Sequence, residues 1–393
     1  MVWNDFRNDA RVLKEAETLQ RRGYCVTVNA FHVPGETMVE ESLRDGIWVR
    51  RVSTSIVYSL LGIFGAAPKS SESGSVGTLA AAWIIMGRTW GHFLLLRNVL
   101  LQRPDLVHAH DVNTLPTAWL AALLCRARLV YDAHEISTSR EGYSSFKKIV
   151  AWVESTLMPR ADATITTTEA RAKFFARAYG IARPLVLQNR PREQHPQTSQ
   201  RIRQELGLSE SWPIVLYQGG VQQGRGLERL VRVAAQVPDA YFVFIGGGRL
   251  DASLRQIAKE LQLEDRVRFI ATVALADLPS YTASADIGVQ PIENTCLNHY
   301  TTDSNKLFEY VQAGLPVIAS DLPEIRRIVR QHDLGLLVPA GDSEALANAL
   351  RRMVADAGLR QHHAQRARAA AAALSWEVQE HLLAELYRRV LES

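Results

Sequence analysis

The chain has 393 residues, too many for one ordinary core, so two comparable units are expected, each burying its own apolar interior. Apolar residues make up 47% and charged residues 22%, inside the globular range, which excludes a chain built mainly of disordered or low-complexity sequence. The net charge of +4 is uneven, with 24 Lys/Arg against 18 Asp/Glu up to residue 200 and 21 against 23 beyond it; this suits phosphate-bearing or anionic phospholipid partners and falls well short of the basic stripe of a nucleic-acid binder.

The opening MVWNDFRNDARVLKEA has no basic-then-apolar leader. Asp9 is placed to cap a helix over ARVLKEAETLQRRG, with Gly23 as its stop. The chain thus begins close to its first helix with almost no first strand before it, although a doubly wound domain opens on a central strand. A reading frame extended upstream by a short apolar strand ending at VWNDF is therefore expected. Cys25, Cys125 and Cys296 lie far apart and form no CxxC pair, so neither a disulfide framework nor a cysteine zinc site is expected, and a reducing cytoplasm is the natural setting.

The apolar stretch TLAAAWIIMGRTWGHFLLLRNVLL is interrupted by Arg88, His92 and Arg97 before it reaches the roughly 18 to 20 clean residues of a membrane span. A packed helix is the first reading and membrane contact the second. The runs YCVTVNAF, DLVHAHD, RLVYDAHE and ATITTTE, then IVLYQGG, AYFVFIGGG, VRFIATV, IGVQPI, PVIAS and LLVPA, alternate with longer helical patterns. This is the signature of βαβ units and parallel sheets. The class is α/β, doubly wound and present twice. NRPREQHPQTSQ, over 189–200, has no apolar period and reads as the hinge, with a ligand cleft across it. The expected divisions are an N-terminal domain over 1–195, a C-terminal domain over 196–374, and a final helix over 375–393 that packs on its own domain or crosses back to the first.

TTDSNKLFEYVQAGLPVIAS carries the most chemistry. Asp303 or Ser304 caps a short helix that ends before Gly314, and the first-turn amides of that helix form a ready diphosphate site. Asn305, Lys306 and Glu309 share a face by i, i+3 and i+4 spacing. Lys306 adds charge for phosphates and Glu309 accepts from adjacent ribose hydroxyls, unless the two are an ordinary solvated pair. YQGGVQQGRGLERLV follows a strand and opens a helix. Gly219 and Gly220 allow close backbone approach there, and Arg225 can fork onto phosphate oxygens. Gly246, in FIGGGR at the next strand end, is a second approach site or a simple turn.

VYDAHE puts His134 past a strand end, at the carboxyl edge where ligands of open sheets gather. HAHD offers His108, His110 and Asp111 at another strand end. With no third His or Cys nearby, a loop lining the cleft is favoured over a metal site, and His110 and Asp111 are assigned to the acceptor side.

Taken together, GGVQQGRG, FIGGG, SNKLFEYVQAGLPVIAS and VYDAHE resemble the family 4 glycosyltransferases of the GT-B fold, over nearly the whole chain. The resemblance implies two Rossmann-like domains and a nucleoside-diphosphate sugar as donor; the acceptor expected is a glycan or lipid-linked intermediate of cell-surface polysaccharide synthesis, with no nucleic-acid partner, and the basic excess is read either as peripheral contact with the inner face of an anionic membrane or as a generically basic surface. Where the family has a phosphate-binding Arg and Lys, this chain has Gly220 and Arg225. Of the family's paired glutamates, aligned on Thr301 and Glu309, only the second is kept. By the same resemblance His134 stands near the transferred sugar, the sugar is held by main-chain amides around 302–305, Ser304 and Asn305 among them, and base recognition falls on the backbone around Val273. Transfer is retaining and metal-independent, with no general base and no cofactor. Catalysis rests on positioning and on Arg225, Lys306 and the helix N-terminus stabilising the leaving diphosphate, with His134 beside them. A GT-B nucleotide-sugar epimerase and a non-catalytic subunit of the same fold are the rival readings.

Overall fold

A computed structural model describes residues 1–43, 46–53, 78–140, 146–194 and 198–392, with the backbone alone described over 78–84. Contacts divide the chain into two compact units, Met1–Thr167 with Arg171–Leu187 and Glu380–Ser393, and Thr168–Ala170 with Gln188–Gln379. Of the expected hinge, residues 195–197 lie outside the described residues.

The first unit runs α1 (Ala10–Arg21), β1 (Thr27–Phe31), β2 (Glu40–Ser42), β3 (Trp48–Val52), α2 (Thr78–Gln102), β4 (Leu106–His110), α3 (Asp111–Cys125), β5 (Arg128–Ala133), α4 (Lys147–Leu157), β6 (Ala163–Thr166), α5 (Glu169–Tyr179) and β7 (Leu185–Val186). Asp9 caps α1 as its sequence requires, its carboxylate accepting from the Val12 amide at 3.2 Å. The strands form two sheets, in the orders β1-β3-β2 and β4-β5-β6-β7. The first four residues hydrogen-bond to both: the Val2 amide donates to Asn29 and Phe31 donates to Asn4, at 3.0 and 2.9 Å, while Met1 donates to the His108 carbonyl at 2.7 Å. Expectation had missed β2, β3 and β7, which are polar, irregular in pattern or only two residues long.

In the second unit follow α6 (Arg201–Leu206), β8 (Ile214–Gln218), α7 (Leu227–Ala234), β9 (Tyr241–Ile245), α8 (Asp251–Glu260), β10 (Val267–Ile270), α9 (Leu278–Thr282), β11 (Ile287–Gln290), α10 (Leu297–Tyr300), α11 (Asn305–Gln312), β12 (Val317–Ser320), α12 (Pro323–His332), β13 (Gly335–Val338), α13 (Ser343–Ala355), α14 (Ala357–Ala370) and α15 (Glu377–Glu392). Its six strands are parallel in the order β10-β9-β8-β11-β12-β13. β8, β9, β11 and β12 are buried at every residue, because helices cover both faces. The order reverses direction between β8 and β11, and at the carboxyl ends of such a switch point open sheets bind ligands.

Beyond Glu380, α15 belongs to the first unit, where the Tyr387 hydroxyl meets His108 Nδ1 at 2.8 Å. α2 turns Gly87, Gly91, Leu95 and Val99 inward at four-residue spacing and packs against α3. Among the described residues no helix is long and apolar enough to cross a membrane.

Packing between β11 and α11 holds the second unit's site in place. A Cβ built on Gly288 would fall 2.4 Å from the Tyr310 ring, whose hydroxyl donates to the Leu216 carbonyl at 3.0 Å. Gly288→Ala is expected to cost about 1–3 kcal/mol of stability through overpacking, read as a lowered urea midpoint with an unchanged slope.

Candidate functional site

The carboxyl ends of β8, β9 and β11 bring the glycine loops together. The Gly219 amide donates to Ile245 at 2.8 Å and Val221 to Gly247 at 3.0 Å, so the loop after β8 continues the ladder onto the loop after β9. Only glycine permits this. Gly246 has φ of 134°, and a Cβ there would lie 2.2 Å from the Gly219 carbonyl oxygen; Gly226 has φ of 70° and would meet Pro291 O at 2.0 Å. The Tyr217 hydroxyl donates to the Gly220 carbonyl at 2.8 Å and braces the turn.

Lys306 reaches this loop from the first turn of α11. Its Nζ lies 5.0 Å from the centre of the Tyr217 ring, and a Cβ on Gly219 would touch it at 3.2 Å. Loss of water and the neighbouring Arg225 guanidinium push the Lys306 pKa down to about 7, against the opposing pull of Glu309. Two cations thus crowd one patch of a glycine loop. An anion is the chemistry that relieves such crowding.

Glu309, one turn further along α11, accepts from Gln218 Nε2 at 2.5 Å. Gln218 is buried and is itself fixed, its Oε1 accepting from Thr282 Oγ1 at 2.8 Å. Glu309 is therefore a held carboxylate rather than one half of a solvated Lys–Glu pair. Gln218 and Thr282 carry no motif, and sequence reasoning had no signal for them.

One expectation needs correction. Neither Asp303 nor Ser304 caps α11 with its side chain. Ser304 occupies the cap position at φ of 56° without a capping hydrogen bond, and Asp303 instead accepts from Gln188 Nε2 at 2.7 Å. A helix start that its cap residue leaves unbonded has donors to offer an anion. Asn305 is exposed at that start, and Val273 is half-buried in the loop after β10. Thr301, where a glutamate was missing, is buried with its hydroxyl donating to the Leu297 carbonyl at 2.7 Å. His299 had drawn no notice; it packs against Gly224, where a Cβ would lie 2.2 Å from the imidazole.

In the first unit His134 lies past β5 with its side chain 22% exposed. Its Nε2 donates to Asp132 at 3.1 Å, and its amide donates to Asp111 Oδ1 at 3.3 Å. Asp132 is fully buried and gripped by Arg11, whose Nε and Nη2 donate at 2.7 and 3.0 Å. Burial disfavours a charged His134, but Asp111 and Asp132 outweigh it and push the pKa up to about 9. His110 also meets Asp132, with Nδ1 at 3.4 Å, yet burial dominates there and pushes its pKa down to about 4. Two histidines on one carboxylate therefore carry opposite charge states at neutral pH.

Sequence spacing gave no sign that α1 completes this cluster. Glu15, His108, His110 and Asp132 bring metal-ligand atoms within 4.8 Å of one another. Arg11 lies among them, 3.1 Å from Glu15 and forked onto Asp132, and already supplies the counter-charge that a cation would bring. Asp111, at φ of 62°, opens α3 and holds Arg140 at 3.3 Å.

The fold is that of the GT-B glycosyltransferases: a solved structure of Anabaena HepE in complex with UDP-glucose matches over 99% of this chain and 98% of its own, with a TM-score of 0.71 at 20% identity. Two family models match the sequence, a glycosyl transferase 4-like domain over residues 9–190 and glycosyl transferases group 1 over 212–356. The chain belongs to the family 4 glycosyltransferases. Among curated relatives it is 26% identical to the D-inositol 3-phosphate glycosyltransferase of Corynebacterium urealyticum over 310 residues, 72% of this chain and 71% of that protein. It is 27% identical to the lipopolysaccharide core biosynthesis glycosyltransferase LpsE of Rhizobium meliloti over 164 residues, 42% and 46% of the two.

The paired carboxylates around His134 have a direct spectroscopic consequence. The His134 ring should titrate near pH 9 by NMR of labelled histidine, while His110 stays neutral down to about pH 4. Asp132→Asn removes one of the two charges and should move the His134 midpoint down toward the ordinary value; an unmoved midpoint would assign the imidazolium to another partner.

Proposed function

We propose that this glycosyltransferase transfers a sugar, with retention, from a nucleoside-diphosphate sugar to a glycan or lipid-linked acceptor in cell-surface polysaccharide synthesis. It works from the cytoplasm in peripheral contact with the inner face of an anionic membrane, without a metal. The observation that carries the donor half of this reading is Lys306, pushed down to about 7 beside Arg225 against the backbone of Gly219. HepE, of the same fold, was solved with UDP-glucose, and LpsE acts in lipopolysaccharide core synthesis; both support the choice of donor and acceptor class.

In this reading the diphosphate lies against Gly219, Gly220 and the start of α11, with Arg225 and Lys306 as its counter-charges. Glu309, held on one oxygen by Gln218, takes the ribose hydroxyls with the rest of its acceptor capacity. The base lies along the backbone near Val273, and Gly246 lets the loop after β9 approach. Because Thr301 is turned onto Leu297, the sugar is held by the amides of residues 302–305. His134, as an imidazolium, donates to the transferred sugar, with His110 and Asp111 on the acceptor side. Charge builds on the leaving phosphate as the glycosidic bond opens, so fixed cations that interact more strongly with that state than with the bound donor lower the barrier. The leaving phosphate takes the acceptor proton, and no side-chain base is assigned.

Calorimetry with UDP tests the site. Glu309→Ala removes charge-assisted hydrogen bonds and should weaken binding roughly ten- to hundredfold with the fold intact; equal affinity would move the ribose elsewhere. Above pH 7 the free Lys306 is largely neutral, and a bound diphosphate raises its pKa, so binding at pH 8 should take up a proton that Lys306→Met abolishes. Transfer activity should persist in EDTA. Loss on chelation with recovery in magnesium or manganese would return the counter-charge to a metal.

A further inference from the structure

Two consecutive histidines of α14 converge on one carboxylate outside their helix. α12 ends at His332, and Asp333 follows it with φ of 54°, a left-handed position that aspartate and asparagine tolerate better than other side chains. The Asp333 carboxylate meets His362 Nε2 at 2.6 Å and stands 3.6 Å from His363 Nδ1. That Nδ1 also meets the main-chain oxygen of Asp333 at 2.9 Å. The His362 and Asp333 side chains are 55% and 49% exposed, whereas His363 is buried at 7%. The two imidazoles stand edge to face with their centres 5.0 Å apart.

One ligand atom from each of the three residues lies within 4.8 Å of the other two. Four-coordinate zinc, bonded at about 2.0 to 2.2 Å to nitrogen and oxygen, sets its donors roughly 3.3 to 3.5 Å apart. The His363–Asp333 separation is already close to this, and the His362–Asp333 contact has to lengthen by less than about 1 Å, between two half-exposed side chains. The hydrogen bond from His362 lowers the Asp333 pKa against the cost of burial, so the carboxylate is an anion. Arg366, one turn beyond His362, acts on Asp333 through space and is not hydrogen-bonded to it. Here the first unit's cluster differs, because Arg11 forks onto Asp132 and fills the cation's place. Two imidazoles and one carboxylate suit zinc and its borderline neighbours, and offer too few oxygens for calcium or magnesium. The carboxyl end of α12 adds the partial negative charge of a helix terminus.

We propose that Asp333, His362 and His363 form a zinc site, completed at the fourth position by water. β13 begins at Gly335, so the site lies at the amino edge of the second unit's sheet, whereas the glycine loops follow the carboxyl ends of β8 and β9. The ion therefore takes no part in sugar transfer. It ties α14, which packs against α11, α12 and α13, to the end of α12. This goes beyond the function proposed above and does not depend on it.

The full chain without an affinity tag, stripped with EDTA and dialysed, is titrated with zinc chloride by calorimetry. One equivalent is expected to bind, and zinc but not magnesium should raise the melting temperature, since an ion that binds only the native state stabilises it. Asp333→Asn keeps a residue that tolerates the left-handed backbone, and His362→Ala alters a half-exposed helical position, so both variants should fold. Each removes a direct ligand and should weaken zinc binding by at least about tenfold. In NMR of labelled histidine, two imidazoles should shift with zinc, one of them the signal that His362→Ala deletes. A dissociation constant weaker than about 1 mM would overturn the site. So would an equal response to magnesium, or zinc binding that both variants leave intact, which would move the ion to another cluster.

Discussion

The second unit is organised around a cation brought into contact with a glycine. Lys306 Nζ lies 3.2 Å from where a Cβ on Gly219 would stand, over the Tyr217 ring and next to Arg225. A lysine gives up part of its hydration there only because the surrounding structure leaves no alternative. The loop after β8 is tied to the loop after β9 by backbone bonds that glycine alone allows, and α11 is set on β11 by the Gly288–Tyr310 contact. Its pKa is pushed down to about 7, first by loss of water and then by the Arg225 guanidinium, against the pull of Glu309. Gln218, Thr282 and the strained Ser304 act on the same helix: the first two fix Glu309, and the third leaves the helix start without a side-chain cap.

In the first unit a different device sets charge. Asp132 is buried and would be costly as an unpaired carboxylate, but Arg11 supplies a bidentate partner from α1. Asp132 has further acceptor capacity, and the two imidazoles that approach it differ in environment. His134, with Asp111 also nearby, is held cationic, whereas His110, deeper and beside other basic groups, stays neutral. One carboxylate thus yields two hydrogen-bonding characters a few ångströms apart, a donor-only ring and a neutral one.

Much of this was legible in the sequence. Ten β-rich runs marked ten of the strands, several of them apolar throughout because parallel strands covered on both faces are continuously hydrophobic. Gly219, Gly246, Arg225, Lys306, Glu309 and His134 could be singled out from the strand-turn-helix context in which they stand; the structure gathers the first five around the loops after β8 and β9 and sets His134 past β5. β2 and β3 were not, as a polar triplet and an irregular WVRRV carry no period strong enough to read, although β3 is the middle strand of its sheet. The α11 cap was misread for a related reason: Asp and Ser favour caps in general, but here Asp303 was drawn away by Gln188.

The sequence by itself determined the class of fold, where its glycine loops and helix starts fall, and the residue types available there. These follow from local rules of period, capping and glycine content, which act within a few residues. Only the tertiary structure decided which charges those residues carry and which neighbours hold them. Arg11 meets Asp132 across 121 positions, and Gln218 meets Glu309 across 91. A pKa depends on distance and dehydration in space, and the chain order of the groups involved contains neither.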